Sequence, residues 1–76
     1  MKKTFVKVVA VVDEEGVVTP KSLEFNDTTY IIDRVLDRKN CATFKVGGIG
    51  VRYTIRIGNN TTYLFQENGK WFVEEK

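Results

Sequence analysis

The chain has 76 residues, a net charge of +2, one cysteine and no histidine. A chain this short forms one domain, here expected to span 1–76, and buries only about 60% of its unfolded surface. An internal disulfide and a Cys/His zinc site are both excluded by composition, because the first needs two thiols and the second four such ligands.

Taken from the N-terminus, Lys2 and Lys3 precede an apolar run, Val8–Val12, of five residues. A secretory core needs about seven to fifteen apolar residues and a membrane helix about twenty, so neither export nor a membrane span is expected. Together with a lone cysteine this points to a reducing, cytoplasmic setting. Thr4 to Val12 reads as a strand. Val6, Val8, Ala10 and Val12 share one parity and should face the core, whereas Phe5, Lys7, Val9 and Val11 share the other. Asp13-Glu14-Glu15-Gly16 then turns the chain, with Gly16 suited to a left-handed backbone. The three acids there resemble no calcium loop in spacing and are expected to be a solvated turn.

Val17 to Thr19 returns as a short strand that should end at Pro20 or lie at an edge, since proline cannot donate to a ladder. Ser22–Phe25 and Thr29–Leu36 form the next expected pair, around Asn26-Asp27-Thr28. Asp33 and Arg34 interrupt the apolar Ile31-Ile32 and Val35-Leu36, which leaves two arrangements: one charge points inward and requires a partner, or the strand lies on the barrel wall with its end in water. Arg38-Lys39-Asn40 reads as a polar turn into a strand from Cys41 to Val46. Cys41 has no histidine to activate it and is expected to serve as a small apolar residue. Gly47-Gly48-Ile49-Gly50 precedes a strand rather than a helix, which argues for a bend or bulge and against a phosphate loop.

The last third, Val51 to Glu75, is apolar on both faces of one ribbon. Asn68-Gly69 is a strong two-residue hairpin signal and pairs Phe65 with Phe72 and Leu64 with Val73. Asn59-Asn60 is expected to make the preceding turn, pairing Ile55 with Leu64, Thr54 with Phe65 and Arg56 with Tyr63. Asn26, Asn59 and Asn60 also begin Asn-x-Thr triplets, but asparagine's turn chemistry accounts for them without glycosylation. Ile55, Leu64 and Val73 then line one face, beside Tyr53, Gln66 and Trp71. No segment shows helical apolar spacing. The fold expected is all-β: a strongly bent antiparallel sheet or a partly closed SH3-like or OB-like barrel of six or seven short strands.

The other face of the ribbon carries the candidate binding residues Arg52, Arg56, Tyr63, Phe65 and Phe72. A chain this short can hardly leave three large rings exposed, so burial under the N-terminal strand or the glycine loop is the structural expectation. As a working surface, the same residues suit a protein partner or a second copy of the chain. The alternative is single-stranded nucleic acid, whose bases stack on rings interleaved with arginine. No histidine, one cysteine and no paired carboxylates give no catalytic set, so the chain is expected to be no enzyme, with no cofactor or metal.

Tyr30 to Asp37, Gly50 to Gly58, Tyr63-Leu64-Phe65 and Trp71-Phe72-Val73 together resemble a group of short, uncharacterised bacterial proteins of clostridia-type organisms. The resemblance implies a small all-β bacterial domain with no assigned activity, and it transfers no catalytic residue.

Overall fold

The computed structural model describes residues 2–42 and 49–75, except the side chains of residues 41, 42 and 49. The strand expected over Cys41–Val46, the bend at Gly47-Gly48 and the role of the Cys41 side chain therefore lie wholly or partly outside the described residues. Seven strands form: β1 (Lys2–Val12), β2 (Val18–Phe25), β3 (Thr28–Ile31), β4 (Arg34–Ala42), β5 (Ile49–Ile57), β6 (Asn60–Glu67) and β7 (Lys70–Glu75). They make one antiparallel sheet in the order β3-β2-β1-β7-β6-β5-β4. No helix occurs among the described residues. The all-β, curled architecture expected from strand periodicity is the one found.

The two edge strands, β3 and β4, are separated by two residues only, Ile32 and Asp33. The sheet must therefore curl until its edges meet. The Ile32 amide donates to the Lys21 carbonyl of β2 at 2.9 Å, and the Asp33 amide donates to the Arg56 carbonyl of β5 at 2.8 Å. Successive peptide groups thus tie opposite ends of the sheet. Asp33 adds a second tie, its Oδ2 accepting from the Gly58 amide at 2.6 Å. Farther along, the Arg38 guanidinium of β4 reaches β2, donating to the Val18 carbonyl at 3.1 Å and to Thr19 Oγ1 at 3.0 Å. Closure is partial. An apolar opening of about 200 Å³ remains, lined by Leu23, Phe25, Tyr30, Ile57, Thr62 and Val73.

The concave face holds the core. Leu23, Ile32, Tyr53, Ile55 and Leu64 are buried there, with Val6, Val8, Val35, Trp71 and Val73 packed against them. This is the parity assigned to the terminal ribbon from Ile55 and Leu64 and to β1 from Val6 and Val8, whereas Val12, expected on the same inner face, is exposed at the end of the strand beyond the core. The β6–β7 register is also as expected, pairing Phe65 with Phe72 across Asn68-Gly69, both of which take positive φ.

Several expectations are corrected. Gly58-Asn59, not Asn59-Asn60, turns β5 into β6, and Gly58 takes φ +60. Glycine at the first central position suits a hairpin turn of this kind. The register moves by two residues, so Tyr53 faces Leu64, Thr54 faces Tyr63 and Arg52 faces Phe65. A shift of two leaves every side chain on its expected face. The strands expected over 17–19 and 22–25 are not separate but are parts of one, β2, which begins at Val18 and has an irregularity opposite Val9/Ala10 where Lys21 is the extra residue. Pro20 is buried at that bulge, a place where a missing donor is tolerated. Thr29–Leu36 is broken at Ile32-Asp33 rather than continuous. Arg38-Lys39-Asn40 extends β4 and is not a turn, because polar side chains on an edge strand reach water. Neither Asp33 nor Arg34 is buried.

β1 changes partner midway. Lys2–Val6 pair with β7 and Lys7–Val12 with β2. In register, the next β1–β7 pair after Val6 and Trp71 would set Lys7 opposite Lys70. β7 begins at Lys70, just after the Asn68-Gly69 turn, so at most this one pair could be added, and like charges placed directly opposite disfavour it.

Asp33→Ala should lower stability by about 1–2 kcal/mol, because it strips the Gly58 amide of its acceptor. Asp33→Asn, which keeps an oxygen there, should recover most of the loss. Urea unfolding at unchanged slope checks both, and equal losses for the two variants would count against this role.

Candidate binding face

On the convex face, cross-strand register builds a row of rings. Phe5 of β1 faces Phe72 of β7, Phe72 faces Phe65 of β6, and Phe65 faces Arg52 of β5. Phe65 and Phe72 stack with centroids 5.1 Å apart and planes 6° from parallel. Phe5 meets Phe72 edge-on at 5.9 Å, and Tyr63 meets Phe65 edge-on at 6.4 Å. Each such contact adds about 0.5–1.5 kcal/mol beyond the area it buries.

Cations lie over this row. The Arg52 guanidinium sits 4.6 Å from the Tyr63 centroid. Lys3 Nζ is 4.7 Å from the Phe72 centroid and 5.7 Å from that of Phe5, and Lys70 Nζ is 5.9 Å from Phe5. Lys3 also pairs with Glu67 at 3.9 Å. A cation held over a ring face is attracted by the ring's quadrupole and shields that face from water.

The rings therefore divide by exposure. Phe72 is 2% exposed and Phe65 is also buried, so both are structural. Tyr63 keeps 48% of its surface in solvent and Phe5 56%, at the two ends of the row. Of the five candidate residues, four come together: Arg52, Tyr63, Phe65 and Phe72. Arg56 does not join them. It faces Thr61, is exposed, and its Nε donates to the Gly58 carbonyl at 3.0 Å. The Arg52 Nε is buried with no hydrogen-bond partner among the described residues, a cost offset by its stacking on Tyr63.

Sequence reasoning missed Phe5 and Lys3 as members of this face. Phe5 was legible as the one aromatic on the non-core parity of its strand. The pairing of β1 with β7 that brings it to Phe72 spans nearly the whole chain and leaves no local signal.

Among the described residues, the concave side holds one perturbed ionisable group. Tyr53 packs on Trp71 with centroids 5.3 Å apart, and its hydroxyl donates to Gln66 Oε1 at 3.2 Å. Burial pushes its phenol above the ordinary 10.0, opposed by the charge and hydrogen bonding of Arg38. Among the described residues, no group of three or more Cys, Asp or Glu side chains is placed to hold a metal.

No protein-family model, curated protein or solved structure matches the chain.

The Tyr53 shift has a definite sign. As pH passes 10.0, the unfolded phenol loses its proton first. The folded state then binds more protons, so stability falls as pH rises. The melting temperature should decline above that pH, and Tyr53→Phe should lessen the decline. A variant with the same alkaline slope as the parent would refute the assignment.

Proposed function

We propose that the chain is a non-enzymatic interaction module that holds a protein partner on its convex face. The reading rests on one observation: a row of rings is closed at its centre but left open at Tyr63 and Phe5, beside cations. Half-exposed aromatics next to arginine are the composition of interface anchors. Arg52, held over Tyr63, stiffens that ring before binding and lowers the entropy lost on contact. Phe65 and Phe72 contribute as the rigid floor. Arg56 offers a second cation two residues along β5. An acidic or amphipathic protein surface is the complement such a face recognises. The setting we infer is the cytoplasm of a bacterium.

Single-stranded nucleic acid is the second reading, favoured by the cations that flank Tyr63 and Phe5. It is weakened by burial of Phe65 and Phe72, because bases stack on open ring faces.

Immobilised protein should capture a partner from bacterial lysate, and Tyr63→Ala with Arg56→Glu should abolish capture while leaving circular dichroism unchanged. Undiminished capture by that variant would remove this face from consideration. Oligothymidine binding that weakens steeply with salt and is lost in the same variant would move the assignment to nucleic acid.

A further inference from the structure

We propose that β1 carries a second surface, at which two copies of the chain join edge to edge through Lys7–Asp13. β1 meets β7 only as far as Val6, and among the described residues no strand pairs with Lys7–Val12 on that edge. An uncovered edge presents a row of backbone donors and acceptors to another strand. Its side chains are apolar and open to water: Val9 is 65% exposed, Val11 51%, and Val12 is exposed as well. Beside this edge lies a cleft of about 790 Å³, bounded by Lys7, Val9 and Glu24 on one side and by Gly69, Lys70 and Trp71 on the other.

Charge and register name the occupant. Antiparallel pairing of the edge with itself about Ala10 sets Val8 opposite Val12 of the second copy, Val9 opposite Val11, and Lys7 opposite Asp13. Every valine then meets a valine, and each end closes with opposite charges. Centring on Val11 instead would set Val9 against Asp13 and Val8 against Glu14. Centring on Val9 would set Lys7 against Val11. The acidic turn Asp13-Glu14-Glu15 of one copy also lands at the cleft where Lys7 and Lys70 of the other converge. The two lysines that end the β1–β7 ladder thereby gain anionic neighbours from outside. Asp13 can contribute there because its own turn engages only one carboxylate oxygen, Oδ1, which accepts from the Glu15 and Val17 amides. A two-fold contact of this kind closes on itself and stops at two. This surface adjoins the ring row at Phe5 and Lys70, but its test substitutes Val9 and Val11 and the other substitutes Tyr63 and Arg56, so either assignment can fail without the other.

Sedimentation equilibrium and register-specific cross-linking test the proposal. The natural chain should sediment as a dimer. Val11→Lys, which places a charge on the exposed edge, should be monomeric with unchanged circular dichroism. In a Cys41→Ser background, Val9→Cys mixed with Val11→Cys should form a disulfide under mild oxidation, whereas each variant alone should not, since residue 9 lies opposite 11 and only diagonal to its own copy. A monomeric natural chain, a Val11→Lys variant that stays dimeric, open-ended assembly beyond two copies, or equal cross-linking in the separate and mixed samples would each overturn it.

Discussion

Two neighbouring amides hold the architecture. Ile32 donates to β2 and Asp33 to β5, strands that stand near opposite ends of the sheet. A two-residue connection between β3 and β4 permits no flat arrangement, so curvature is forced by chain length before any side chain packs. Curling then creates a concave interior in which Ile55 and Leu64 are fully buried. For a chain that buries so small a fraction of its surface, this route to an enclosed core replaces the disulfide or metal that other small domains use. Asp33 sits at the joint and binds the β5–β6 turn through its carboxylate as well as its main chain.

Curling also explains why the terminal ribbon is apolar on both faces. The concave face supplies the core. The convex face bends outward and has no second layer among the described residues, so it covers itself: rings stack along the cross-strand row and the ammonium of Lys3 sits over them. The ends of the row lack such neighbours and stay in water. The candidate surface is therefore a remainder of the packing, with its position set by where the row stops. The proposed β1 edge arises in a similar way, from a ladder that stops where two lysines would meet.

Much of this was legible from short-range chemistry. Asn68-Gly69 specified a hairpin and its register, and the alternation of Val6 and Val8 specified the inner face of β1. Strand parity placed Ile55, Leu64 and Tyr53 together even though the turn was misplaced, because an error of two residues preserves facing. What failed was non-local or depended on competition between similar turns. Gly58-Asn59 and Asn59-Asn60 are both plausible turns by composition, and glycine's freedom at positive φ decided between them. Arg38-Lys39-Asn40 looked like a turn by polarity, yet it extends an edge strand whose Arg38 bonds to β2. The break at Ile32-Asp33 and the β1–β7 pairing have no local signature, since each depends on closure of the whole sheet. The candidate site was read in part: its rings and the burial of Phe65 and Phe72 were expected, whereas the exposure of Tyr63 was not and Phe5 was missed.

Amide hydrogen exchange at Ile32 and Asp33 tests this account most directly. If the crossover joins the sheet, both amides should be protected to the same degree as those of Ile55 and Leu64, although they lie outside any strand. Exchange at Ile32 and Asp33 as fast as at exposed turn amides, with the core strands still protected, would show that the edges are not tied and that the sheet curls for some other reason.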